Sequence, residues 1–90
     1  MDTARLVDMA NRIGQFFEGM PDAAQAGREI AQHLRRFWAP QMRLELLARL
    51  DADGAPGLRP SVRSALLAHR ELLAPAASGG PPSASGRADR

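Results

Sequence analysis

Apolar residues recur along this chain at steps of three and four, and they alternate with polar ones over no useful length, so the pattern predicts helices and no sheet. In the first segment Leu6, Met9, Ala10, Ile13, Phe17 and Met20 share a face, while Asp8, Asn11, Gln15 and Gly19 fall opposite. Asp2 or Thr3 can cap a helix there, predicted over 3–20. The run "GMPD" then breaks the pattern: Pro21 disfavours a helical Met20, and Asp22 offers its carboxylate to the first amides of a second helix, 23–38. The stripe of that helix reads Ala23, Ala26, Gly27, Ile30, Leu34, Phe37 and Trp38. Gly27 marks either a close helix approach or a tolerated weak residue.

Pro40 ends the second helix and suits the first position of a third, 40–51, because its missing N–H would have had no intrahelical partner. Met42, Leu46, Leu47 and Leu50 form a broad apolar arc on it, with Arg43 inside the arc and Leu44 on the far side. After the loop "DADGAPGLRP", Pro60 opens a fourth helix, 60–74, on which Val62, Ala65, Leu66, His69 and Leu73 share one face. The expected fold is an all-α bundle of about four helices spanning 1–73. The segment 74–90, "APAASGGPPSASGRADR", has too few apolar groups to offset the entropy of ordering and is expected to be a disordered tail.

A folded part this small buries only ~60% of its unfolded surface, so a partner or self-association is expected. The absence of cysteine excludes disulfides, thiolate zinc sites and cysteine-ligated clusters on this chain. The sequence pI near 11.0 comes from arginine alone: all twelve basic residues are arginine, ten acids are scattered among them, and the net charge is only +2. No basic block is present to neutralise a row of phosphates. The start lacks the pattern of a signal peptide and no stretch is long and apolar enough to span a membrane, so a cytoplasmic, soluble chain is expected.

Catalytic signatures are missing as well. No P-loop or dinucleotide fingerprint occurs, and no nucleophile stands beside a base. His33 and His69 have no ligand partners at metal-binding spacing and read as packing or boundary residues. The "DADG" at Asp51 to Gly54 begins like a calcium loop, yet the twelfth position is Val62 rather than glutamate, which leaves Asp51 and Asp53 as helix-end and turn residues.

What stands out is "HLRRFWAPQMR", His33 to Arg43, which concentrates arginine and aromatic side chains around a proline corner. Phe37 and Trp38 stand ~100° apart on a helix, so either that helix is broadly buried or one ring faces outward. Tryptophan and arginine are the residues most enriched at interface hot spots. The candidate contact residues are therefore Arg35, Arg36, Phe37, Trp38, Pro40, Met42 and Arg43, with an ordinary core role for Trp38 and a snorkelling Arg43 as the alternative.

Three ordered runs carry a family resemblance over roughly residues 5–73: Met9, Ala10, Asn11, Ile13, Phe16 and Phe17; then His33, Arg35, Phe37, Trp38, Pro40, Met42 and Arg43; then Gly57, Leu58, Pro60, Val62, Arg63, Ala65 and Leu66. Together they resemble the delta subunit of NAD-dependent, molybdenum-containing formate dehydrogenase. The chain departs from that family at Ala39 and Gln41, where an acidic residue and an arginine flank the proline. The resemblance implies a non-catalytic subunit that binds the large catalytic subunit, stabilising it or aiding its assembly. It also implies that the bis-pyranopterin guanine dinucleotide molybdenum, the iron–sulfur clusters, FMN and the NAD site lie on other subunits, with no cofactor on this chain. No nucleic acid or membrane partner is expected, and a homodimer is possible for the isolated chain. The rival readings are a self-associating helical protein and a helix-turn-helix DNA binder, the latter disfavoured because its turn is only 3–4 residues.

Overall fold

Two aspartates start the first two helices. In the computed structural model, which describes residues 2–74, Asp2 accepts from the Ala4 amide at 3.0 Å and opens α1, Thr3–Phe17. Asp22 accepts from the amides of Ala24 and Gln25 and opens α2, Ala23–Phe37. The next two begin at prolines without a side-chain cap: α3 is Pro40–Asp53 and α4 is Pro60–Ala68. A single turn, α5, Arg70–Leu73, follows. The described part is all-α, as the periodicity predicts. The expected tail, beyond its first residue Ala74, lies outside the described residues.

Three predicted boundaries are corrected. The first helix stops at Phe17 rather than Met20, with Glu18 as its cap and a turn from the Met20 amide to the Phe17 carbonyl. Gly19 and Pro21 both weaken helix there. The third runs on to Asp53, where Gly54 takes the left-handed conformation (φ 77°) that closes it. The fourth breaks at His69 (φ −120°, ψ 32°) instead of running to 74. No glycine or proline forces that break. It lets Leu73 enter the core and lets Arg70 pair with Asp51 of α3.

Helix α2 is the centre of the bundle and packs against all four others, most extensively against α4. The core gathers Leu6 and Ala10 of α1, Ile30, Ala31 and Leu34 of α2, Leu46, Leu47 and Leu50 of α3, and Val62, Leu66 and Leu73 beyond. Each fully buried leucine contributes about 1.5–3 kcal/mol relative to an exposed one. Helices α1 and α4 meet at Gly14, which is buried against Val62. At Gly27 an added methyl would sit 3.9 Å from Ala65, an ordinary contact. The close approach therefore falls at Gly14, and Gly27 is the tolerated weak residue.

The α3–α4 loop is held from below by Asn11. Its Nδ2 donates to the Gly57 carbonyl at 2.9 Å and its Oδ1 accepts from the Arg59 amide at 2.8 Å. Asn11 was expected on the polar side of α1 and does lie off the apolar stripe, yet it serves the fold. It fixes the residue that begins α4, whose own side chain makes no cap. That Arg59 side chain instead pairs with Glu18 at 2.7 Å through two nitrogens, and Ser61 donates to the same carboxylate at 2.6 Å. Asp51 and Asp53 are the helix-end residues expected: Asp53 pairs with Arg49 and accepts from the Ala55 amide, and Asp51 pairs with Arg70.

Candidate partner-binding surface

The corner between α2 and α3 arises because the backbone leaves the helix at Trp38. Its φ of −93° and ψ of 142° are extended, while its amide still bonds to the Leu34 carbonyl at 3.0 Å. The helical separation of Phe37 and Trp38 therefore does not apply. Trp38 turns into the core and is 7% exposed, whereas Phe37, the last helical residue, stands in solvent at 65%. The extended Ala39 leads into Pro40, exposed at the first position of α3. Met42 is half-buried against the core, and Arg43 is buried at 4% exposure.

Phe37 does not stand alone. His33, one turn earlier, lies 4.7 Å from it between ring centroids, Phe17 of α1 lies 6.3 Å from His33, and Phe16 crosses Phe17 edge-on at 4.9 Å. Phe16 is 78% exposed. The result is a row of four rings running across α1 and α2 with an exposed phenylalanine at each end. Beside it Glu29, Gln32 and Arg36 complete a shallow recess of about 180 Å³. Isolated apolar residues are common on protein surfaces, but two large exposed rings joined by a continuous row make this the candidate contact patch.

Arg35 and Arg36 occupy the last turn of α2, where the carbonyl end of the helix favours positive charge. Both are exposed, and no ion pair among the described residues includes them. Burial first, and then the like charge of Arg35, push the Arg43 guanidinium below its ordinary pKa. The candidate residues thus separate into two flanks of α2. Phe37 and Arg36 lie with the aromatic row, Arg35 and Arg43 flank the corner from the last turn of α2 and the start of α3, and Trp38 sits in the core.

The sequence reading missed Phe16, Phe17 and His33 as members of this surface. The signal was available in "QFF", because adjacent aromatics on one helix cannot share one buried line. A larger apolar groove, about 500 Å³, runs between the start of α2 and α4 past Met20, Ala26, Gly27, Pro60 and Ala65.

Comparison with known families shows what kind of chain carries this surface. The family model described as the NADH-dependent formate dehydrogenase delta subunit, FdsD, matches residues 5–66. The chain belongs to the FdsD family. By that name an FdsD chain is one subunit of a formate dehydrogenase that has others. The matched span contains the whole aromatic row and the α2–α3 corner, and it stops short of α5. Searches of curated proteins and of solved structures found no match. Among the described residues of this FdsD chain, no helix is long and apolar enough to cross a membrane, and no group of three or more His, Cys, Asp or Glu side chains is placed to hold a metal ion.

Proposed function

We propose that this chain is a non-catalytic accessory subunit of a cytoplasmic, NAD-dependent formate dehydrogenase, and that it binds and stabilises the large molybdenum-containing subunit or aids its assembly. The family match over residues 5–66 carries this reading. The exposed row from Phe16 to Phe37 supports it, since a small bundle that leaves two rings in water gains by covering them. The chemistry of formate oxidation, with its molybdenum cofactor, iron–sulfur clusters, FMN and NAD site, belongs in this reading to the other subunits. The contact surface is Arg35, Arg36, Phe37, Pro40, Met42 and Arg43, with Trp38 holding the corner in shape, extended by Phe16 and His33. The effect is mass action: a subunit that binds only the folded, cofactor-competent catalytic chain stabilises that form against open ones.

The test is to express the tagged chain together with its neighbouring genes under mild salt. Co-purification of a molybdenum and iron–sulfur subunit, and loss of formate oxidation on deleting this chain, are expected. Absence of both sinks the reading. Self-association through the aromatic row is a second reading favoured by the exposure of Phe16 and Phe37. It requires a dimer by light scattering that Phe37→Ser dissolves.

A further inference from the structure

Arg43 is the one charged side chain buried among the described residues. It is the first buried residue of α3, ahead of Leu46, Leu47 and Leu50 on the inward face. Its Nε and Nη1 are enclosed and have no hydrogen-bond acceptor among the described residues. No ion pair there reaches it either.

The other arginines among the described residues are paired, hydrogen-bonded or exposed. Arg12, Arg49, Arg59 and Arg70 pair with Asp8, Asp53, Glu18 and Asp51, and Arg63, although its Nε is also enclosed, reaches the Ala55 carbonyl through Nη2. Arg5, Arg28, Arg35 and Arg36 are exposed. Arginine does not give up its proton in proteins, so burial leaves Arg43 charged and in need of an acceptor. Among the described acids, four are in those pairs, Asp2 and Asp22 accept from helix amides and Glu45 accepts from Thr3, while Glu29 and Glu71 bond to no arginine there.

We propose that Arg43 is completed in the assembled enzyme by a carboxylate of the catalytic subunit, an aspartate or glutamate side chain that enters the α2–α3 corner beside Arg35. This rests on the proposed function for its partner. It commits to an acidic group because Arg35 and Arg43 flank the corner with no paired acid among the described residues, and because Nη2, the Arg43 nitrogen that is not enclosed, can donate a charge-assisted bond to a carboxylate. Removing water from such a pair strengthens it, and the enclosed position of Arg43 already excludes water on the side of this chain. Arg35 attracts the incoming acid and Arg43 holds it.

The test compares the full chain with Arg43→Met and Arg43→Lys, and with Arg12→Met as a control on an exposed arginine, in capture of the catalytic subunit and in thermal unfolding of the free chain. Methionine fills similar space without charge, so Arg43→Met should unfold no lower than wild type while capture weakens at least tenfold. Arg43→Lys, which keeps the charge on a differently shaped head, should fall between. Arg12→Met should capture as wild type does. Equal capture by Arg43→Met overturns the inference, as does a fall in its melting temperature that accounts for the weaker capture. So does an Arg43-dependent stabilisation of the free chain by millimolar acetate or formate, which would make the corner a small-anion site. Failure of the wild-type chain to capture the catalytic subunit overturns the proposed function itself, and is thereby distinguishable.

Discussion

Gly14 lies against Val62 so closely that a Cβ on the glycine would stand 2.5 Å from Val62 Cγ2. Val62 is fully buried and β-branched, so it has no free rotamer into which to withdraw. Gly14→Ala would gain up to ~1 kcal/mol of helix propensity and lose about 1–3 kcal/mol to overpacking, giving net destabilisation. Urea unfolding should show a lower midpoint, and an unchanged one would mean that α1 and α4 are free to separate.

Gly27→Ala should act in the opposite direction. Its new methyl meets Ala65 at 3.9 Å, an ordinary contact, so the helix-propensity gain of up to ~1 kcal/mol is not cancelled. Thermal unfolding should register a rise of several degrees, on the order of 4–8 °C per kcal/mol for a domain of this size. A drop would show that the α2–α4 contact is tighter than this geometry allows.

Asn11→Ala removes both bonds that hold the α3–α4 loop, to the Gly57 carbonyl and from the Arg59 amide. The expected loss is about 1–3 kcal/mol, because two backbone groups lose their partners at once. Asn11→Asp, which keeps the acceptor for Arg59 and forfeits the donor, should lose less than alanine does. Equal losses from the two variants would put the whole value of Asn11 in its bond to Gly57.

The Glu18 carboxyl is drawn down from 4.5 to about 2, first by the hydrogen bond from Arg59 and then by that from Ser61. A depressed carboxyl pKa stabilises the fold fully above the unfolded value, and that contribution is lost as pH falls through the folded one. The melting temperature should accordingly carry a component that declines between pH 4.5 and about 2. Glu18→Gln should lack that component, and a variant that kept the full wild-type slope would assign it to other carboxyls.

Much of the fold was legible because it rests on local chemistry. Asp22 behind Pro21, and prolines at 40 and 60, set three helix starts that the structure keeps to the residue. What was not legible depends on residues far apart in sequence. The break at His69 has no local cause and follows from where Leu73 and Arg70 find their contacts. Asn11 looked like a solvated polar residue because its partners lie 46 and 48 positions away.

The candidate surface divides in the same way. Helical spacing places Arg43 inside the arc of Met42, Leu46 and Leu50, but it leaves open whether the guanidinium snorkels out, and the structure shows the side chain buried. Which of Phe37 and Trp38 faces water could not be read from spacing, since the answer turns on the residue at which α2 stops being helical. The adjacent rings of "QFF" signal only that one of them faces outward, and the row they join spans two helices and is legible in neither alone.

The fastenings of this bundle are unevenly distributed. Glu18, Asn11 and Asp51 tie distant segments together around the α3–α4 loop and the end of the fold, whereas α3 begins at Ala39 and Pro40 with no side-chain bond at all. Amide hydrogen exchange reports such differences as local opening. The first turn of α3 should exchange early in the free chain, and slowed exchange there should be the first sign that the corner has been covered.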